Sequence, residues 1–381
     1  MALRAPVSRT SADIIVLGGG IIGGALAEEL ARAGRRVVLI ERGRMGQEAS
    51  TAAAGILSAA MDVPQPGPLF ELCQLARRIY PQWIAHLEAR SRLSLGFHVD
   101  GIVYLAMTAA QERAKADQVS WQRRRGLPIE SWSSRRLRRE EPAVDGPVRK
   151  AFFFANEAQV ENVKLMEALA AACRAARVQV LEQTIARRLL VAHKAVRGVQ
   201  TNHGRILAPV LINCLGSWAP LGGRSAVPLP VEPARGQMLA FRGPRRLFRH
   251  PVMAERGYVV QRRDGRLLVG STVERVGYDK ALTFEGLHAI LTGVRHFTGA
   301  LSQCTFLEAW TVLRPYSPDG LPILGRTALE GLYAATGHFR HGILLAPATA
   351  RLMTELILHG RASVDLAPFS PSRFHQKGAR H

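Results

Sequence analysis

An aliphatic, strand-forming run leading into GGGIIGG, a helix-forming stretch behind it and a second strand–glycine–helix junction near the carboxyl end predict an α/β fold. Between the two junctions lie strand-rich, turn-punctuated segments, which predict a second unit of α+β character with a mixed sheet. The expected architecture is a Rossmann-like dinucleotide-binding domain of residues 11–80, 150–217 and 320–365. It is interleaved with a mixed-sheet, substrate-binding domain of residues 81–149 and 218–319.

The amino-terminal unit opens with Asp13-Ile14-Ile15-Val16-Leu17, whose β-branched and aliphatic residues suit a parallel strand buried on both faces. Gly18, Gly20 and Gly23 follow with GxGxxG spacing. The first permits a tight turn, the second lets the backbone approach a pyrophosphate and the third lets helix and strand close on each other. Ala25–Ala33 is expected to be helical and to stop at Gly34. Its amino end would offer free N–H groups to phosphate. Arg36–Ile40 is a second buried strand, closed by Glu41, where a carboxylate can accept from ribose hydroxyls. This order of parts signals a dinucleotide without separating NAD from FAD. The small residues of Gly46–Gly55 suit either a flat ring lying against them or an ordinary alanine-rich helix.

The middle of the chain alternates. Glu71–Ser91 and Glu161–Arg177 have helical spacing, and Gly101–Met107 and Ala151–Phe154 read as strands. Val178–Glu182, Ala186–Val191 and Val196–Gln200 are expected to form a small antiparallel set. Ile206–Cys214 is expected to be one strand returning to the nucleotide unit. Gln237–Phe241, Gly257–Arg262 and Leu267–Ser271 supply strands of the second unit.

At the carboxyl end, WTVLRPYSPDGLPILG places Arg314 in an apolar strand, where a guanidinium needs an anionic partner. A substrate carboxylate and an internal Asp or Glu both satisfy that need. LYAATGHFRHGILLAP gives a strand over Leu332–Thr336, a turn, and a helix over Gly342–Leu358 whose amino end can stabilise negative charge. His338 in the turn reads as a packed residue in preference to a base. The tail after Gly360 is expected to lie on the surface or fray.

Composition narrows the partners. The chain has 381 residues, with 51 Lys plus Arg against 30 Asp plus Glu, a formal net charge of +21. Its basic runs, at 123–125, 135–139 and 242–249, are not interleaved with aromatic residues, so they read as solvated surface and not as a nucleic-acid platform. Cys73, Cys173, Cys214 and Cys304 contain no CxxC pair, which argues against a zinc site and a disulfide framework and suits a reducing cytoplasm. Met1–Thr10 lacks the apolar core of a signal peptide, and the longest uncharged run, between Arg205 and Arg224, is interrupted by Pro209 and Pro220, so no membrane span is expected.

The segment SADIIVLGGGIIGGALAEELARAGRRVVLIERGRMGQEASTAAAGIL and the GHFR-x-GILLAP run resemble the FAD-dependent amine oxidases of the D-amino-acid oxidase type, nearest to the glycine oxidases of thiamine biosynthesis. The resemblance covers roughly Ala12 to Gly360. It implies FAD held by Gly18, Gly20, Ile21, Ile22, Gly23, Glu41, Arg42, Ala49, Ser50, Ala54, Gly55, Ile56 and Ala186, and by His338, Phe339, Arg340, His341, Gly342, Ile343 and Leu344. It implies that Arg314 binds the substrate carboxylate, with Arg340 and Tyr258 beside it; no catalytic side chain is singled out, since no protein base is strictly needed if the amine binds neutral. Two positions depart from the pattern: His341 stands where asparagine is expected and Ile56 where methionine is. Val312 and Leu313 occupy the neighbourhood of the cysteine that anchors flavin covalently in the sarcosine oxidase branch, so non-covalent FAD is expected.

The activity so implied is oxidation of glycine, sarcosine or D-alanine to the imine and 2-oxo acid, with dioxygen forming hydrogen peroxide and the glycine imine feeding thiazole synthesis. A D-amino-acid or imino-acid dehydrogenase with another acceptor stays open. So do an NAD(P) dehydrogenase, an FAD-bearing nucleic-acid binder, and self-association.

Overall fold

The structure, a computed structural model, describes residues 10–221 and 229–374. A six-stranded sheet runs in the spatial order Ile323–Arg326, Leu332–Thr336, Val210–Asn213, Ile14–Leu17, Val37–Ile40, Gln179–Leu181. Every neighbouring pair is parallel except the first. Residues on a strand alternate between faces, and both faces here are covered, which is why these strands read as unbroken apolar runs. Ile14 and Val16 face a layer of helices, Ile21–Arg32, Pro68–Ser91, Asn162–Ala175 and Gly342–His359. Ile15 and Leu17 face the other way, against Leu189, Val196, Val199 and Ile206 of a small sheet built from Thr10–Ser11, Gly204–Leu207, Ala195–Thr201 and Ala186–Ala192.

An eight-stranded mixed sheet forms the second body, in the order Thr305–Tyr316, Glu232–Arg242, Arg266–Gly270, Gly257–Gln261, Val252–Ala254, Ile102–Ala106, Lys150–Phe154, Ile129–Trp132. The α/β class with a mixed second sheet is as the sequence predicts.

Three local expectations are corrected. The first helix begins at Ile21, not Ala25, because its two glycines are needed for close packing and do not delay it. Val178–Glu182 does not join the antiparallel set. Its core, Gln179–Leu181, pairs in parallel with Val37–Ile40, since the preceding helix returns the chain to the nucleotide sheet as a crossover. Ile206–Cys214 is two strands, split around Pro209, which has no N–H to give a ladder.

Several arginines of the basic runs form surface ion pairs: Arg125 with Glu71, Arg136 with Glu130, and Arg249 with Glu140. After Gly360 the chain packs back as far as it is described, with Phe369 in the core and Arg373 on Asp319. The start of the chain and the last part of the uncharged run before Arg224 lie outside the described residues. Among the described residues no helix is long and apolar enough to cross a membrane.

Candidate functional site

A cavity of about 470 Å³ lies between the carboxyl ends of the parallel strands and the mixed sheet. This is where open α/β sheets bind ligands. At one end is the glycine turn. A Cβ on Gly18, whose φ is +102°, would come within 2.5 Å of the Cys214 carbonyl oxygen, and one on Gly23 would collide with the Gly18 carbonyl. The turn therefore closes only with glycine, and it brings the amino end of Ile21–Arg32 to the cavity. The Ser50 hydroxyl accepts from the Ile21 N–H at 2.9 Å. Glu41 accepts from Gly19 N–H and Gly43 N–H, both at 2.8 Å. A carboxylate has about four acceptor positions, so ribose hydroxyls can still be served. Asn162 and Trp310 tie the loop after Glu48 by donating to the carbonyls of Ser50 and Ala52, each at 2.9 Å. These features fit a dinucleotide: a turn that only glycine closes, a helix end facing the cavity, and an acid with capacity to spare.

At the other end Arg314 sits in the wall. It donates to the Thr272 carbonyl at 3.0 Å and to the Ser271 hydroxyl at 2.8 Å, and it pairs with no acid among the described residues. Gly236 lies directly beneath it, where a Cβ would strike the guanidinium. Burial pulls the Arg314 pKa down from its ordinary value, and Arg340 adds to the effect. Tyr258 donates to the Met238 thioether at 3.1 Å, and burial pushes its phenol up.

Of the residues singled out in the sequence, the structure brings all but two to this cavity. Gly23 stands behind it in the helix, and Ala186 begins a strand of the small sheet away from it. His338 is buried and shares a hydrogen bond with Thr349 at 3.0 Å; burial lowers its pKa to about 3, so it is a packed, neutral ring. His341 is buried as well, with its pKa lowered to about 4 and its Nε2 unpartnered. The sequence reading missed Asp62, Met61, Tyr104, Met253 and Ser271, which also line the cavity. None lies in a recognisable motif; only their three-dimensional placement marks them.

The chain matches the FAD dependent oxidoreductase (DAO) family over residues 13–356. It is 33% identical to the bifunctional protein ThiO/ThiG of Synechocystis over 372 residues, 96% of this chain and 54% of that protein. The chain thus spans about half the length of such bifunctional relatives. It is 31% identical to the glycine oxidase of Pseudomonas aeruginosa over 95% of this chain and 99% of that one. The crystal structure of glycine oxidase from Geobacillus kaustophilus superposes with a TM-score of 0.92 at 30% identity, covering 96% of this chain and 99% of that one.

Proposed function

This chain belongs to the DAO family of FAD dependent oxidoreductases, and we propose that it oxidises glycine or a similarly small amino acid, such as sarcosine or D-alanine. Arg314 carries the reading: a guanidinium in the cavity wall, held by two neutral acceptors and, among the described residues, by no acid. A carboxylate supplies the missing charge, and the planar fork takes both its oxygens. The Tyr258 hydroxyl is spent on a thioether, a weak acceptor, so turning it to a carboxylate oxygen costs little. Arg340 adds a second cation to the cavity, while Met61, Tyr104 and Met238 limit the room beside it.

Gly18–Gly23, Glu41 and the amino end of Gly342–His359 would hold the cofactor. When bound, FAD supplies the acceptor for the Cα hydrogen and its electron pair and passes the two electrons to dioxygen, giving hydrogen peroxide. The protein's part is orientation: Arg314 and Tyr258 fix the acid so that its Cα is presented the same way each time. The imine takes up water to give the 2-oxo acid and ammonia, or serves as the two-carbon unit of thiazole synthesis in thiamine formation. With Val312 and Leu313 in the adjoining strand, FAD is held without a covalent bond, and acid precipitation should release the colour. The four cysteines are all free, which suits a cytoplasmic setting.

The test is anaerobic mixing with glycine, sarcosine, D-alanine, D-proline and their L forms where they exist. Bleaching by a small member, and one peroxide per substrate in air, are expected. No bleaching by any of them would overturn the reading.

A further inference from the structure

The loop after the small-residue segment presents one carboxylate to the cavity, and its backbone is fastened with unusual completeness. Buried Glu157 accepts from the N–H groups of Ala59, Ala60 and Met61 at 2.6, 2.7 and 2.9 Å. From the other side, Gln74 donates to the Ala59 carbonyl at 2.8 Å, Gln122 to Ala60 at 2.9 Å, and Lys115 to Met61 at 3.1 Å. Asp62 is the next residue, its own N–H on the Ser58 hydroxyl at 3.1 Å. Buried polar groups fully satisfied in this way fix one backbone position, and the cavity wall is where that position puts the Asp62 side chain.

Four carboxylates line the cavity: Glu41, Glu48, Asp62 and Glu255. Three are engaged. Glu41 holds two backbone N–H groups, Glu48 pairs with Arg42 and Lys280, and Glu255 accepts from Gln111. The carboxylate of Asp62 has no donor among the described residues. Lys115, whose proton the charge of Asp62 favours, directs its ammonium to Met61, Gln118 and the face of Tyr104. The charge of Asp62 nonetheless reaches the groups of the substrate end: it helps keep the phenols of Tyr104 and Tyr258 protonated and favours the proton on His341, in each case as a smaller influence than burial. Among the described residues the cavity therefore holds two guanidiniums without an acid, Arg314 and Arg340, and one carboxylate without any hydrogen-bond donor, Asp62.

We propose that Asp62 receives the amino group of the substrate, taking the cationic end of the zwitterion whose carboxylate Arg314 holds. This rests on the reading that the cavity oxidises a small amino acid. Two opposite charges at fixed positions select a zwitterion over a simple carboxylate, which satisfies Arg314 and leaves Asp62 facing an apolar methyl group. Asp62 binds and orients; Arg314 and Tyr258 keep the carboxylate, and the bound ammonium gives one proton to water before the Cα hydrogen leaves, since the imine needs the nitrogen lone pair.

The experiment compares KM for glycine with the inhibition constant of acetate, an amine-free carboxylate, in the FAD-loaded protein and in Asp62→Asn. A hydrogen bond to a charged group is worth roughly 10- to 100-fold in affinity. The glycine KM should rise by about that factor, while acetate binds equally or more tightly because a nearby negative charge has gone. The KM ratio between variant and parent should shrink as pH rises past the amine's own pKa, a change that a merely structural role would not produce. Arg314→Ala should weaken both ligands. If Asp62→Asn weakens glycine and acetate together, the residue acts through loop shape and the proposal falls. It falls equally if neither changes. If the parent protein binds acetate but oxidises no amino acid, the functional reading falls first and this inference with it.

Discussion

Arg235 and Arg314 occupy neighbouring strands of the same sheet, yet they serve opposite ends. Arg235 stands opposite Leu313, and Arg314 opposite Ala234. Cross-strand partners share a face and successive residues alternate, so this offset of one puts the two guanidiniums on opposite faces. Arg235, 3% exposed, meets Glu274 and Asp279, and those partners raise its pKa. Arg314 meets a carbonyl and a hydroxyl, and burial lowers its pKa. A cation that the chain has already neutralised is structural. A cation that the chain has dehydrated and left with neutral acceptors is, on the function proposed above, the one that meets an anion from outside.

The histidines repeat the contrast, since His338 has Thr349 and the Nε2 of His341 has no partner among the described residues.

The largest expected effect tests the unpaired guanidinium. Arg314→Ala should raise the glycine KM by roughly 1000-fold, about 4 kcal/mol, as removal of one side of a desolvated charge pair does. Its urea unfolding midpoint should barely move; a large loss of stability there would erase the difference between the two arginines. Arg235→Ala should do the reverse, costing about 3 kcal/mol in unfolding free energy because two acids lose their counter-ion, with KM little changed. The smallest effect is a pH slope. His341 is held near a pKa of about 4, below its ordinary 6.5. The stability this represents is present above pH 6.5 and is lost as pH falls towards 4, because the unfolded ring takes up a proton that the folded ring refuses. His341→Asn should remove this share of the slope and leave that of His338, so the variant gains on the parent by up to about 3 kcal/mol across the window, read by denaturant unfolding at a series of pH values. Parallel curves would show that the ring is solvated when folded.

The amino-terminal junction was legible because it is a local device. A glycine turn that only glycine closes, a helix end and a terminal acid all lie within 30 residues, from Asp13 to Glu41. Arg314 was legible as an oddity, a charge in an apolar strand. Whether an internal acid answered it was not, since the groups that hold it, Thr272 and Ser271, are 42 and 43 residues away in sequence. The clamps on the Asp62 loop were invisible. Gln74, Gln118 and Gln122 sit on helices where glutamine ordinarily meets water, and only packing turned them inward. The short strand Gln179–Leu181 was misassigned for a related reason: three residues carry a strand signal but no information about which sheet they join.

The sequence alone determined the α/β class, the dinucleotide turn with its acid, and the presence of an arginine that needs an anion. These are properties of contiguous residues, set by backbone sterics and the cost of burying charge. The tertiary structure decided which charges are answered from within and which are not, because the pairing of buried charges depends on groups that only folding brings within hydrogen-bonding distance.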